Sequence, residues 1–233
     1  MRPICKGEPP RDDAGRPIRF DHYQEARKYL VKRLGPFCSY CEVKLPVGLA
    51  VEHVQPQSAH PEKALEWENF LLACPSCNAH KADKDINEHT LNEYLWPDRN
   101  NTFLALRYAE GGKASVNPEL SEADQQRAQK LIHLVGLDNM PTDEIRTIGK
   151  WNDRRKEWDK AQEVRQLLLQ NDTEAARALV TQMIEGYFSI WMSVFDDCPE
   201  MRKEILRHFE PYGTAMDCFD AEGNARPRPG QSI

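Results

Sequence analysis

The segments Cys38-Ser39-Tyr40-Cys41 and Cys74-Pro75-Ser76-Cys77 each place two cysteines three positions apart. Such a turn lets two thiolates reach one ion, and two turns complete the tetrahedron that is typical of structural zinc. The 32 residues between the pairs, positions 42 to 73, are more than a compact zinc ribbon needs. The enclosed loop has room for a further turn, a strand and a candidate active-site segment. The expected zinc ligands are Cys38, Cys41, Cys74 and Cys77.

Inside the loop, Glu52 and His53 are adjacent and follow the short apolar run Leu49-Ala50-Val51. Neighbouring side chains of a regular strand point to opposite faces, so these two can serve one site where a strand ends or bends. Histidine titrates near neutral pH, which suits a general base, although an isolated histidine is more often structural. The residues alone leave both interpretations of His53 open.

Composition limits the class of protein. The chain has 233 residues, 40% of them hydrophobic, which is enough for one large domain or two small ones with a real core. No signal segment is visible, and the most apolar late stretch, 180–195, is interrupted by polar residues, so we predict a soluble, cytoplasmic protein. Paired cysteines in that compartment favour metal over disulfides. The remaining cysteines, expected to be ordinary thiols, are Cys5, Cys198 and Cys218.

Charge is distributed unevenly along the chain. With 31 basic and 37 acidic residues, the protein is not a general polyanion binder. Positions 1–84 carry 13 basic and 11 acidic side chains, whereas 85–233 carry 18 and 26. A local phosphate-facing patch is compatible with the two basic clusters, although the first fits a solvated helix face equally well. The clusters are Arg27, Lys28, Lys32 and Arg33, and then Lys81 and Lys84.

Local patterns predict an α+β protein with a small zinc-stabilised domain at positions 21–95. Residues 1–20 are rich in proline, glycine and arginine and should form an extended arm. A helix is expected from Asp21, an N-cap with Gln24 three residues later, to Gly35-Pro36. Between positions 37 and 54, proline and glycine residues precede a short apolar run, and this pattern favours a β-hairpin. The polar stretch after the second cysteine pair can begin a helix.

Positions 96–221 are predicted to be mainly helical, because their apolar residues recur with a period near 3.6. Aromatic stripes at this spacing are more often core than a binding groove. Because acidic helices repel nucleic acid, we expect this half to dock to another protein. The tail, 222–233, is expected to be disordered. The expected helices run from Ser121 through Val135, from Thr142 toward Leu168, from Asp172 or Thr173 to Phe195, and from Pro199 to Phe209.

Four elements of the chain follow a known motif in order and approximate spacing. They are Cys38-x2-Cys41, Glu52-His53-Val54-Gln55-Pro56, Trp67-Glu68-Asn69-Phe70-Leu71 and Cys74-x2-Cys77-Asn78-x2-Lys81. In these elements the chain resembles the HNH endonuclease family with its ββα-metal site, over about a fifth of its length. The resemblance implies a small ββα core and a metal-dependent nuclease that hydrolyses phosphodiester bonds, with DNA favoured and RNA not excluded.

The resemblance also implies roles for the central residues. His53 would be the general base that activates water. Asn69 would support the loop that carries His53 through backbone hydrogen bonds, without transferring a proton. Lys81 would face a phosphate, although from sequence alone a solvated helix lysine is equally plausible. His60, in the same loop, is expected to be inert because it has no partner in the sequence.

A catalytic divalent ion, Mg2+ or another hard cation, is implied by the same resemblance. Glu52 and Asn78 would hold it through oxygen atoms, and it would stabilise the charge that grows on the phosphate and the leaving oxygen. Many members of the family have histidine at the position of Asn78. His80 is therefore the alternative second ligand.

A second resemblance concerns the regions outside this core. The opening Met1-Arg2-Pro3-Ile4-Cys5-Lys6-Gly7 and the run from Trp96-Pro97-Asp98 to Tyr108, followed by a helical tail, look like the HNH subunit of bacterial Septu-type anti-phage systems, also found beside retrons. This resemblance implies a partner ATPase of the ABC or SMC-like type and a role as the effector of a defence complex. The alternatives are a stand-alone restriction or mobile-element nuclease and a non-catalytic, zinc-stabilised binding module.

Overall fold

The computed structural model describes residues 1–82, 84, 86–139 and 145–233, with backbone alone for 145–150. Within these parts of the chain, two small antiparallel sheets combine with eight α-helices, so the prediction of an α+β fold is confirmed. The strands are β1 (Ala50–His53), β2 (Phe70–Ala73), β3 (Leu106–Ala109) and β4 (Lys113–Val116). The helices are α1 (Arg27–Leu34), α2 (Pro75–Lys81), α3 (Thr102–Ala105), α4 (Glu122–Val135), α5 (Ile145–Gln170), α6 (Glu174–Gln182), α7 (Phe188–Val194) and α8 (Pro199–Phe209).

The first sheet and the helix that follows it form a ββα unit. β1 pairs with β2 in an antiparallel register that sets His53 opposite Phe70, and every residue of β2 is buried. α2 begins directly after β2, because the sulfur of Cys74 accepts the amide of Cys77 at 3.4 Å and Pro75 supplies the first helical residue. The strand that carries His53 is thereby packed next to the second cysteine pair.

The later helices share one hydrophobic core with the ββα unit. α4 begins after Ser121, whose hydroxyl accepts a backbone amide at 3.2 Å, and it ends at Gly136 in the left-handed region, as predicted. α6 begins after Thr173, and α8 begins at Pro199. The predicted helix start at Thr142 lies outside the described residues. None of the described helices has the length and hydrophobicity needed to cross a membrane.

The prediction of a single helix from about Asp172 to Phe195 is wrong. The chain forms α6 and α7 instead, separated by a break in which Tyr187 has a φ of 52°. A close approach causes the break: the amide of Tyr187 donates to the carbonyl of Glu42 at 3.2 Å, and a methyl group on Gly186 would lie 3.0 Å from that oxygen. Glu42 directly follows the first cysteine pair, so the helical half packs on that turn.

Two further features of positions 96–221 differ from their prediction. β3 and β4 form a hairpin in this mainly helical half, and β3 alternates buried and exposed residues. Leu179 in α6 and Met183 directly after it belong to the periodic apolar pattern of this half, but they are 69% and 44% exposed, whereas Val180 and Ile184 next to them are buried. The apolar periodicity correctly indicated an amphipathic helix, but it predicted more buried positions on that helix than the structure has.

Both ends of the chain pack against the rest of the protein. The arm is extended, as predicted, but its first residues are buried, and Ile4 forms an isolated bridge with Thr214. The prediction of a disordered tail is wrong: Arg228 donates to the carbonyl of Ile4 at 3.0 Å, and Ile233 is 1% exposed. The glycines and prolines of the tail suggested disorder, but its arginines donate to backbone carbonyls of the folded protein.

α2 is also held against α4. Nδ1 of His80 donates to the carbonyl of Ser76 at 2.8 Å, and Nε2 accepts from the side-chain amide of Asn139 at 2.6 Å. Gly136 makes this approach possible, because it has a φ of +61° and a methyl group there would lie 2.5 Å from Cδ2 of His80. The ββα unit therefore depends on a small residue at the end of α4.

Replacing Gly136 by Ala is expected to destabilise the protein by about 2–4 kcal/mol, since a left-handed backbone strain adds to a steric clash with His80. Chemical denaturation of the purified protein measures this loss. Gly15→Ala is the matched control, because Gly15 has a φ of +78° but nothing lies within 4 Å of the added methyl group. Equal losses of stability in the two variants would mean that the approach of α4 to α2 is not tight.

Candidate active site

The four paired cysteines form one buried cluster. Their sulfur atoms all lie within 4.8 Å of one another, and those of Cys41 and Cys74 are 3.6 Å apart. A tetrahedral zinc ion with Zn–S bonds near 2.3 Å sets its sulfur ligands about 3.8 Å apart. Among the described residues, this is the only group of three or more His, Cys, Asp or Glu ligand atoms found this close together. The cluster is compatible with structural zinc.

Acid–base chemistry also favours a cation in the cluster. Burial raises the pKa of the Cys38 thiol well above its ordinary value, whereas hydrogen bonds from the other three thiols lower the pKa of Cys74. Four buried thiols this close together cannot all ionise without a compensating positive charge. A bound metal removes this conflict, because it lowers the pKa of every thiol that coordinates it.

Glu52 is buried between a tyrosine and a lysine. Its Oε2 accepts the hydroxyl of Tyr40 at 2.6 Å, and its Oε1 lies 2.7 Å from Nζ of Lys81. Burial, and then the negative charge of Glu52, raise the pKa of Tyr40 well above its ordinary value, so the hydroxyl stays protonated and donates. Tyr40 belongs to the first cysteine turn, and Lys81 ends α2. Both donors are therefore delivered by elements that the cysteines hold together.

His53 occupies the last position of β1 and is fixed by a backbone acceptor. Its Nε2 lies 3.0 Å from the carbonyl of Ala64. A carbonyl oxygen only accepts, so Nε2 carries the proton and Nδ1 is the basic nitrogen of the neutral ring. Nδ1 has no hydrogen-bond partner among the residues that the structure describes. The ring is thus arranged to accept a proton through Nδ1.

Two aromatic rings enclose the imidazole of His53. Tyr23 meets it edge-on with ring centroids 4.7 Å apart, and Phe70 meets it edge-on from a second position at 5.3 Å. Such contacts stabilise a ring pair by about 0.5–1.5 kcal/mol and restrict its rotation. Tyr23 opens a single 3-10 turn, Tyr23–Ala26, that precedes α1. The N-terminal helical segment therefore borders the site.

Asn69 is buried and bonds to the loop that follows His53. Its side-chain oxygen accepts the amide of Gln55 at 2.7 Å, and its side-chain nitrogen donates to the carbonyls of Gln55 at 3.0 Å and Lys63 at 3.1 Å. All three partners are backbone groups, and Asn69 does not line the cavity beside His53. This arrangement suits a supporting role, because it fixes the loop without reaching the reacting atoms.

An open cavity of about 350 Å³ lies beside His53. Its wall includes Glu52, His53 and Asn78, so three residues that the sequence singled out meet there. Glu52 and His53 share the cavity although they are strand neighbours, because β1 ends at His53. Carboxylate and amide oxygens on one wall are the ligands that a hard divalent cation prefers.

Two basic residues differ from their expected positions. Lys81 was expected to face a phosphate, but it is 2% exposed and its ammonium group is held by Glu52 and by the carbonyl of His53 at 2.7 Å. His80, the alternative to Asn78 as a metal ligand, uses both ring nitrogens in bonds to Ser76 and Asn139. Asn78 is therefore better placed than His80 to contribute a ligand at the cavity.

Sequence reasoning missed Tyr40 and Tyr23. Tyr40 lies between two cysteines, in a turn where the only recognisable pattern was the metal-binding spacing of those cysteines. Tyr23 appeared as one apolar member of a helical stripe, about thirty residues before His53. No spacing rule connects either tyrosine with the site, because both contacts form only when distant segments pack together.

Comparison with known families agrees with this geometry. Residues 38–84 match the family model of the HNH endonucleases, and over this segment the chain is similar to metal-dependent nucleases that act on nucleic acid. The matched segment is about a fifth of the chain and includes the four-cysteine cluster. Comparison with curated proteins gave no match. The similarity to nucleases therefore concerns the ββα unit, and the helical half lies outside it.

Removing zinc is expected to unfold at least the segment around positions 37–82, since structural zinc contributes directly to folding. Cys77→Ser should likewise lose zinc and cooperative unfolding, whereas Cys198→Ser, outside the cluster, should lose neither. Metal content by atomic emission and thermal unfolding by circular dichroism measure both effects. A zinc-free protein that keeps its native unfolding transition would contradict the assignment of the four cysteines.

Tyr40→Phe is expected to lower the free energy of unfolding by about 1–3 kcal/mol while zinc stays bound, because Glu52 loses a donor to its buried charge. We also expect weaker binding of a divalent cation at the cavity, which titration calorimetry with Mn2+ detects. Tyr29→Phe, a half-buried tyrosine that does not contact Glu52, is the control. An unchanged stability and Mn2+ affinity in Tyr40→Phe would show that Glu52 does not depend on this hydroxyl.

Proposed function

We propose that the protein is a metal-dependent HNH endonuclease that hydrolyses phosphodiester bonds, with DNA as the favoured substrate and RNA as the alternative. The observation that carries this proposal is the state of His53. Its Nε2 is bonded to the carbonyl of Ala64, its Nδ1 has no partner in the described part of the chain, and it lines a cavity that Glu52 and Asn78 also line. A structural histidine in a buried core would have both nitrogens satisfied.

In the proposed reaction, Nδ1 of His53 accepts a proton from the water that attacks the phosphorus atom. The fixed Nε2–H bond to Ala64 keeps Nδ1 available as the base and stabilises the imidazolium that forms. Asn69 keeps the loop after His53 in place, and Tyr23 and Phe70 restrict the ring. The protein therefore contributes a positioned base, which typically accounts for about 10²- to 10⁴-fold of a rate enhancement.

Glu52 and Asn78 are the residues that would hold the catalytic cation, for which we propose Mg2+. Each oxygen of Glu52 already accepts one hydrogen bond or ion pair, but an ionised carboxylate has about four lone-pair sites, so it keeps capacity for a metal. When bound, the cation supplies stabilisation of the negative charge that develops on the phosphate. The two proposed ligands both coordinate through oxygen, which favours a hard ion over zinc.

We further propose that this nuclease works as the effector of a bacterial anti-phage complex with an ATPase partner. The opening segment and the run from Trp96 support it through their resemblance to such subunits. The acidic charge of positions 85–233 is a property of a protein-docking surface rather than of a nucleic-acid surface. A stand-alone nuclease and a non-catalytic zinc module are the competing functions.

The deciding experiment is a cleavage assay on plasmid DNA and tRNA, with Mg2+ or EDTA, and with or without an ATPase, where a neighbouring gene encodes one. We expect divalent-dependent cleavage that the ATPase increases. His53→Ala should lower the rate by about 10²- to 10⁴-fold with the fold intact. His60→Ala is the matched control, because His60 lies in the same loop, pairs with Glu62 and does not line the cavity.

The outcomes separate the competing functions. Strong cleavage by the purified chain alone would support a stand-alone nuclease and contradict dependence on a partner. Equal rates for the wild type and His53→Ala would reject catalysis at His53. Absence of divalent-dependent cleavage with either substrate, with the ATPase present, would support the non-catalytic zinc module.

A further inference from the structure

Among the described residues that line the cavity beside His53, none offers a free cation for binding a phosphate. Among its described lining residues, Lys81 is the only one with a positive charge, and that charge is paired with Glu52 at 2.7 Å. A site that binds a polyanion and stabilises a developing negative charge needs positive groups that are not already neutralised. If the proposed nuclease function is correct, another element must supply this contact.

The helical segment before the cysteine cluster borders the cavity. Tyr23 contacts the imidazole of His53 at 4.7 Å, and Phe20 packs on Phe70 with ring centroids 6.2 Å apart. This segment precedes residues 38–84, so it lies outside the part of the chain that matches the HNH endonucleases. The face of this segment that carries Tyr23 is therefore turned toward His53.

Arg27 is the first residue of α1 and follows Tyr23 by one helical turn. It is half-buried, and no hydrogen bond or ion pair holds its guanidinium group within the described residues. Two nearby basic side chains are used inside the fold: Arg33 donates to the carbonyl of Lys6 at 2.6 Å, and Lys6 pairs with Asp98 at 2.9 Å. Arg27 thus lies one helical turn from the residue that contacts His53, and its charge is unused.

Local charge favours the same surface. Positions 19–33 hold five basic residues and two acidic ones, in a chain whose net charge is −6. An isolated positive region on an acidic protein attracts a polyanion to that region and repels it elsewhere. α1 is therefore a place where the phosphate backbone of a substrate can approach the site.

We infer that Arg27 binds a backbone phosphate of the substrate next to the bond that His53 attacks. Its planar guanidinium group offers two parallel N–H donors to phosphate oxygens, which gives both affinity and orientation. A contact of this kind positions the strand without selecting a base sequence. α1 would then complete a site of which the HNH-like segment supplies the base and the metal ligands.

The same helix provides a matched control. Lys32 is exposed and also has no ion-pair partner within the described residues, and it lies five positions after Arg27 on α1. Five residues correspond to a rotation of about 140° around the helix, which takes Lys32 away from the face of Tyr23. Arg27→Gln and Lys32→Gln each remove one positive charge from the same helix. A long-range electrostatic effect would weaken substrate binding equally in both variants, whereas loss of a direct phosphate contact would weaken it only in Arg27→Gln.

Binding of a fluorescent 30-base-pair DNA duplex, and of single-stranded RNA of the same length, tests the inference. The full-length protein is used in a His53→Ala background with Ca2+, so that affinity is measured without cleavage. Arg27→Gln should weaken binding roughly five- to tenfold at low salt and reduce the slope of log K against log salt by about one. Lys32→Gln should change affinity less than twofold.

Equal effects of Arg27→Gln and Lys32→Gln, or no effect of Arg27→Gln, would overturn the role of Arg27 while leaving the proposed nuclease intact. If the parent protein binds neither DNA nor RNA even with the ATPase present, the proposed function and this inference both fail. Circular dichroism of each variant confirms that the differences arise in a folded protein.

Discussion

The buried carboxylate of Glu52 constrains the rest of the site. A charge removed from water costs several kcal/mol unless hydrogen-bond donors compensate, so each oxygen of Glu52 must meet a donor in the folded protein. Tyr40 comes from the first cysteine turn and Lys81 from the end of α2. The two elements must therefore be correctly placed on either side of β1 before Glu52 can be buried, and the four-cysteine cluster is what places them.

The helical half is built around the same turn. Glu42 follows Cys41 and is itself buried, and its carboxylate accepts both the amide and the hydroxyl of Ser189, at 2.9 and 2.6 Å. The break between α6 and α7 forms where the backbone meets the carbonyl of Glu42. The first cysteine turn therefore contacts two parts of the protein. Tyr40 in the turn bonds to Glu52 of the site, and Glu42 directly after the turn bonds to Ser189 of the helical half.

Local signals predicted the parts of the fold whose causes lie close together in the chain. The spacing of Cys74 and Cys77, with a proline between them, defines a capped helix start within four residues, and Ser121 and Gly136 mark the ends of α4 in the same way. Glu52 and His53 could be predicted as candidates because motif residues surround them. The environment of Lys81 could not, since its burial depends on a carboxylate twenty-nine positions earlier.

Contacts between distant segments account for the remaining errors. No residue near Gly186 in the sequence indicates that its backbone packs against the carbonyl of Glu42. That contact nevertheless divides one predicted helix into two. The tail resembled a disordered segment in composition, because composition does not record that Arg228 reaches the carbonyl of Ile4. Likewise, the contact of Tyr23 with His53 requires the N-terminal helix to pack across β1 and β2. Sequence alone therefore identified candidate chemistry better than the surfaces that enclose it.

The pairing of Lys81 with Glu52 has a consequence for the order of events at the cavity. One positive and one negative charge cancel there, so the wall presents almost no net field to an approaching polyanion. For the proposed nuclease, attraction would have to come from a cation bound at the wall and from α1 beside it. Binding of metal would then have to precede binding of substrate.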